Sequence, residues 1–206
     1  MKFITDKIIG RIRRKKPGWV FTPRDFLDVG TRAAVDQVLS RLAKQGMIRR
    51  LDRGIYYYPK QSKLLGPLSP TPDNIARALA AGDHVFPSGA MAANLMRLST
   101  QVPIKLSYLT NATIRTRRVA GQTIQLKRAR VAWLDNIPDH ANLTLQALSY
   151  LGRKSVDEQI ISRCAGMLTD KDLVGLHRAM DRIPGWMADA IHKIENVKDG
   201  QILHTA

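Results

Sequence analysis

The sequence predicts an α+β protein, and three observations carry that expectation. Apolar residues recur at helical spacing over the first 45 residues and again after residue 140; short β-prone runs broken by glycine turns occupy the middle; and a proline-rich stretch, Gly66 to Asp73, interrupts both patterns. With 206 residues, 44% of them apolar and 24% charged, the chain has the composition of a globular protein able to bury one or two cores.

The elements follow in order. Phe3, Ile4, Ile8, Ile9 and Ile12 form a helical stripe that Pro17-Gly18 ends, predicting a first helix over 2–15. Thr22-Pro23 offers an N-cap followed by proline at the first helical position, Phe26 and Leu27 supply a buried pair, and Gly30 closes this short second helix. A third begins at Gly30-Thr31, with Val35, Val38, Leu39 and Leu42 on one face and Gly46 as terminator. Two strands, Ile48 to Leu51 and Ile55 to Tyr58, are joined through Asp52-Arg53-Gly54, where Gly54 suits the positive φ of a hairpin turn. Three helices and a basic hairpin describe a winged helix-turn-helix over residues 1–65.

The three prolines of GPLSPTPD are expected to deny helix and strand alike, which places a boundary near residue 68 and a second domain over 69–206. Its first part, 69–135, reads as α/β material with a small sheet. It holds a helix over Asn74 to Ala81, an apolar piece from His84 to Phe86, and a helix over Ala90 to Leu98 entered through Ser88 as cap. Strands are expected at Ile104 to Leu109, Asn111 to Arg118, Gln122 to Leu126 after an Ala120-Gly121 turn, and Val131 to Leu134. Its second part, 140–206, is a helical tail. Ser155 with Glu158 forms a capping box there, Thr169 with Asp172 a weaker one, and Pro184-Gly185 precedes a last helix around Met187 to Val197.

Charge separates these segments. The chain carries 33 Lys and Arg against 17 Asp and Glu, a formal +16 and a sequence pI near 10.5. Residues 1–65 hold a net +11, residues 66–135 a net +6 and residues 136–206 a net −1. A positive excess concentrated at one end is the footprint of nucleic-acid binding. At about 100° per residue, the face of the third helix opposite its apolar stripe carries Ala33, Gln37, Ser40, Arg41 and Lys44. Such a small, polar, basic face suits a major groove about 12 Å wide, where Gln pairs with adenine and Arg with guanine. Thr31, Arg32, Gln37, Ser40 and Arg41 are therefore expected at the groove. Lys44 is expected on phosphate, and Arg49, Arg50 and Arg53 of the hairpin on phosphate or the adjacent minor groove. Winged helices also serve as protein-interaction modules, and the +11 favours DNA between the two. The Tyr56-Tyr57-Tyr58 run reads as core and rim of the small domain rather than as a stacking platform.

A search for an active site yields nothing. No phosphate loop, dinucleotide fingerprint, nucleophile elbow or metal motif occurs. Ser88 has no base or acid partner at a telling spacing, His177 and Asp181 read as a solvated helical pair, and Asp170 and Asp172 belong to the first turn of a helix. Cys164 reads as a buried small residue, and the other histidines form no cluster. The expectation is a protein without catalytic residues, metal or cofactor. One cysteine, no apolar run near 20 residues and no signal-peptide core in MKFITDKIIG point to a soluble cytoplasmic protein that does not engage membranes.

The order of these features resembles a known family. A winged helix whose wing ends G-I-Y-Y (Gly54 to Tyr57), then Ser88, Gly89, Ala92 and Ala93 at S-G-x-x-A-A spacing, then Leu98-Ser99-x-Gln101-x-Pro103 and a strand-rich segment, is similar to the AbiEi-type antitoxins of bacterial type IV toxin–antitoxin and abortive-infection (phage defence) systems. The resemblance covers about residues 1–135. It implies an N-terminal domain that binds inverted repeats in its own promoter as paired half-sites, a homodimer on DNA, and repression of the operon. It also implies a C-terminal domain that antagonises a nucleotidyltransferase-type toxin, usually without a stable complex. Two rivals stand beside it: a ligand-responsive winged-helix transcriptional regulator with no toxin partner, and an accessory subunit of a nucleic-acid-processing complex.

Overall fold

The computed structural model describes residues 2–101, 103–128 and 133–203. The protein is α+β, with eight α-helices and short antiparallel strands among the described residues. Contacts divide the chain into two compact units, one made of residues 1–85 with 110–126 and the other of 86–109 with 127–206.

In the first unit, α1 (Lys2–Lys15) buries Ile8 and Ile12 and ends on Arg13, Arg14 and Lys15, cations that suit the negative end of the helix dipole. Phe3, expected in the buried stripe, is instead exposed and lies under the Lys7 ammonium at 4.1 Å, so its apolar ring is shielded locally rather than by the core. Val20–Phe21 forms a strand, β1, that the sequence reading missed. The expected second helix is a single 3-10 turn, Pro23–Phe26, whose entry is held by the Asp25 carboxylate accepting from the Thr22 N–H at 2.7 Å. Phe26 is buried but Leu27 is not, because the tighter turn aims only one of the pair inward. α2 (Arg32–Lys44) buries Val35, Val38, Leu39 and Leu42 as its periodicity requires. β2 (Arg49–Asp52) and β3 (Ile55–Tyr57) form the wing, and β1 joins it in the order β1-β3-β2. Gly54 at φ 72° makes the two-residue turn possible. This order of helix, strand, turn, helix and hairpin is that of a winged helix-turn-helix. Its core sets an aromatic cluster among Ile8, Ile12, Val35, Leu39, Leu42 and Ile48: Phe21 meets Phe26 edge-on at 5.5 Å, Trp19 at 4.5 Å and Tyr56 at 6.1 Å.

The unit does not end near residue 65. All three residues of β3 are buried, so both faces of the wing sheet are covered. α3 (Pro72–Leu79) packs against β1, and the Asn74 side-chain amide donates to the Gly18 carbonyl at 2.9 Å. The stretch expected to be an unstructured linker pairs β4 (Gln61–Ser62) with β5 (Gly66–Pro67), then starts a helix. Thr71 caps α3 by accepting from the Asn74 N–H, and Pro72 occupies its first turn, where its missing N–H costs nothing. Further along the chain, β8 (Arg115–Val119) and β9 (Gln122–Lys127) pair through Val119 and Gln122 as a hairpin. That hairpin, up to Leu126, belongs to the first unit rather than to a separate second domain.

In the second unit, β6 (Phe86–Pro87) pairs with β7 (Lys105–Leu109), and Phe86 stacks on Trp133 at 4.1 Å. The rest is helical. α4 (Ala90–Leu95) packs Ala92 and Ala93 against α5 (Asp139–Leu151), while α6 (Glu158–Met167), α7 (Asp170–Arg178) and α8 (Gly185–Leu203) close a core that includes Leu145, Leu148, Cys164, Leu176, Ile191 and Ile194. The entry to α4 is not capped by Ser88. Gly89 is the N-cap, at φ 61°, and a Cβ there would already touch Lys127 and Tyr150 at 3.4 Å. The two expected capping boxes exchange ranks: Asp157, not Ser155, caps α6 by accepting from the Ile160 N–H at 2.9 Å, whereas Thr169 and Asp172 form the full reciprocal box. Of the strand expected over Val131 to Leu134, residues 131 and 132 lie outside the described residues, and Leu134 lies in no strand. No helix among the described residues is long and apolar enough to cross a membrane.

Candidate nucleic-acid interface

The polar face of α2 is built by its two ends. Thr31 caps the N-terminus, its hydroxyl accepting from the Ala34 N–H at 3.4 Å, so this residue shapes the helix entry as well as facing solvent. The buried stripe fixes the rotation of the helix, which leaves Gln37, Ser40, Arg41 and Lys44 exposed together. Helix α1 braces the assembly. Arg11 donates bidentately to the Asp28 carboxylate at 2.7 and 2.5 Å and also donates to the Asp25 carbonyl. That hydrogen bond holds the Asp28 carboxyl below its usual range and raises the Arg11 guanidinium above its own.

All nine residues expected at DNA are exposed, but they are not equivalent. Arg32 forms an ion pair with Asp36 one turn on, at 2.9 Å, and Arg41 donates to the Thr5 hydroxyl on α1 at 2.8 Å. Both guanidiniums are thus engaged within the protein. Among the described residues, the side chains of Gln37, Ser40, Lys44, Arg49, Arg50 and Arg53 have no hydrogen-bond or ion-pair partner, which leaves their donors for a ligand. The wing sorts its arginines. Arg49 and Arg50 are adjacent on β2 and point to opposite faces; Arg50 pairs across with Tyr56, a member of the core that contains α2, and so shares the side of α2. Arg53 stands at the tip.

One partner of the wing was not foreseen from sequence. Asp52, at the wing tip, accepts from the Arg53 N–H at 2.6 Å through one oxygen and from Arg117 on β8 at 2.5 Å through the other. The signal was present as the Arg115, Arg117, Arg118 cluster, but nothing local ties residue 117 to residue 52. With this hairpin included, the first unit holds 20 Lys and Arg against 7 Asp and Glu, a net +13, and the second unit a net +3.

The second unit gathers polar groups of a different kind. His177 does not pair with Asp181, because α7 ends at Arg178 and Asp181 falls in the next turn; instead His177 and His192 flank Glu195 at 3.4 and 3.2 Å. Among the described residues, no group of His, Cys, Asp and Glu is arranged to hold a metal ion. Burial pushes the Cys164 thiol up to about 12, so it is protonated at neutral pH and is not a nucleophile there. Ser88 is buried, with its backbone N–H on the Ser107 carbonyl at 3.0 Å. A shallow groove of roughly 610 Å3 is lined by Asp135, Pro138, Asp170, Lys171, Gly175 and Arg178.

Residues 7–175 match the model of DUF6088, described as a family of unknown function. No curated protein matches the chain significantly.

Proposed function

For a chain that belongs to the DUF6088 family, we propose that the first unit binds duplex DNA and that the protein represses its own operon. α2 enters the major groove with Gln37 and Ser40 toward base edges, and Lys44, Arg50 and Arg53 meet phosphate on either side. Arg41 and Arg32 act mainly by holding the helix, given their bonds to Thr5 and Asp36. The observation that carries this reading is the unpartnered Gln37-Ser40-Lys44 face beside a basic wing, in a unit of net +13. Phosphate neutralisation gives affinity and a steep salt dependence, and the helix gives sequence preference.

By its resemblance to the AbiEi-type antitoxins, the protein is further proposed to antagonise a nucleotidyltransferase-type toxin, with inverted promoter repeats bound by two copies. A promoter–reporter fusion tests the repression: expression of the full chain should lower reporter output, and Gln37→Ala should relieve it. Co-expression with the product of the neighbouring gene tests the antitoxin half, which fails if toxicity is unchanged by the full chain. The groove between α7 and the start of α5, with both acidic and basic walls, favours one second reading, a ligand-responsive regulator. In that case repression responds to a small zwitterionic molecule and the neighbouring gene encodes no toxin.

A further inference from the structure

We propose that the β8–β9 hairpin is a second wing, which meets the DNA backbone beside the first. The proposal rests on the DNA-binding reading above and assigns a role to a segment that the helix-turn-helix itself does not require. Its starting point is a charge problem. Asp52 is the only acidic residue between positions 37 and 72, and it sits at the tip of the wing, where a bare carboxylate would repel phosphate. Arg117 removes the problem: it donates to Asp52 at 2.5 Å and approaches the Arg53 carbonyl at 3.4 Å, both side chains being about one-third exposed. The same bond ties the hairpin to the wing tip.

Strand alternation then decides what the hairpin presents. The cross-strand pairs Arg117↔Ile124 and Val119↔Gln122 share one face with Leu126, and Val119, Ile124 and Leu126 are buried, so that face is the covered one. The pairs Thr116↔Gln125 and Arg118↔Thr123 share the other. Arg118 and Thr116 are exposed there, one residue on either side of the docked Arg117. Hydroxyl and guanidinium donors on a two-stranded ribbon are the groups that bind phosphate oxygens. No acid lies along this stretch of chain, since no Asp or Glu occurs between Asp83 and Asp135, and the Asp52 carboxylate beside it is paired with Arg117. An acidic protein surface would meet the same charges. Duplex DNA is favoured because the ribbon is continuous, through Arg117 and Asp52, with the wing.

The test uses the full chain and fluorescence anisotropy with a duplex from its own promoter and a random duplex of equal length, from 50 to 200 mM salt. Arg118→Ala should weaken both duplexes alike and lower the salt slope by about one, so that wild type loses about fourfold more affinity than the variant over that range. Arg117→Ala should weaken binding further by exposing the Asp52 charge, and adding Asp52→Asn should restore part of the loss; a purely structural Arg117 would show no such rescue. Arg163→Ala on α6, with equal charge loss, should leave the slope unchanged. Wild type binding DNA with an unaltered slope in Arg118→Ala would overturn the second wing and leave the first intact. Absence of any duplex binding by wild type would remove both. Normal DNA binding by Arg118→Ala combined with loss of a protein partner would assign the hairpin to that partner instead.

Discussion

The two units use polar residues in opposite ways. In the first, polar and basic side chains face outward without partners, as Gln37, Lys44, Arg50 and Arg53 do, over a core of aliphatic and aromatic side chains drawn from Ile8 to Tyr56. In the second, the telling polar groups turn inward and hold the backbone. Asn142 is fully buried; its Oδ1 accepts from the Leu134 N–H at 2.9 Å and its Nδ2 donates to the Leu134 carbonyl at 2.8 Å, which pins the segment before α5 as a strand neighbour would. Asp172 and Thr169 are committed to a reciprocal cap. The contrast teaches where to look for binding: unpartnered donors on a charged surface, rather than polarity as such.

Variants should separate the two roles. The largest stability effect is expected from Asn142→Ala, which leaves two backbone groups without their partner and should cost about 3 kcal/mol in urea unfolding. Duplex affinity, measured where the variant is folded, should not change; a parallel loss would break the division. Gly175→Ala comes next. An added Cβ would lie 2.6 Å from Pro138 Cδ, a ring that cannot swing away, so about 2 kcal/mol of overpacking is expected, again with no effect on DNA. Ala120, at the β8–β9 turn, is exposed and has φ 49°, a conformation that glycine favours, and Ala120→Gly should add about 0.5–1 kcal/mol without altering the salt slope.

The smallest effect concerns pH. The folded Asp28 carboxyl lies below its unfolded value because of the Arg11 hydrogen bond. Its contribution is therefore fully present above the ordinary aspartate range and is lost as pH falls through the lowered folded value. Asp28→Asn should have a slightly lower urea midpoint than wild type at neutral pH, and the two should converge in strong acid. A gap that widens on acidification would contradict the assigned bond.

Much of the first unit was legible because its signals are local. The stripe of Val35, Val38, Leu39 and Leu42 determined which face of α2 is exposed, and Asp52-Arg53-Gly54 determined the wing turn. What escaped was non-local or very short. β1 has two residues, too few for alternation to register, and the bond from Arg117 to Asp52 joins positions 65 apart. The proline-rich stretch misled for a physical reason: Pro67 sits in a short strand pair and Pro72 starts a helix, both places where a missing N–H is tolerated. Of the expected site, all nine residues are on the surface, yet sequence could not say that Arg41 reaches Thr5 or that Arg49 and Arg50 face apart. Those distinctions depend on how α1 and the wing sheet pack.

In the proposed mode of binding, α2 reads DNA sequence while the wings hold the backbone. The direct measurement is the ratio of affinities for the chain's own promoter duplex and a scrambled duplex, at fixed salt, for wild type and Gln37→Ala. Wild type should prefer its own promoter, and Gln37→Ala should reduce that preference by about 1–3 kcal/mol while affinity for the scrambled duplex is kept. Equal affinity of wild type for both duplexes, or an unchanged ratio in Gln37→Ala, would contradict it.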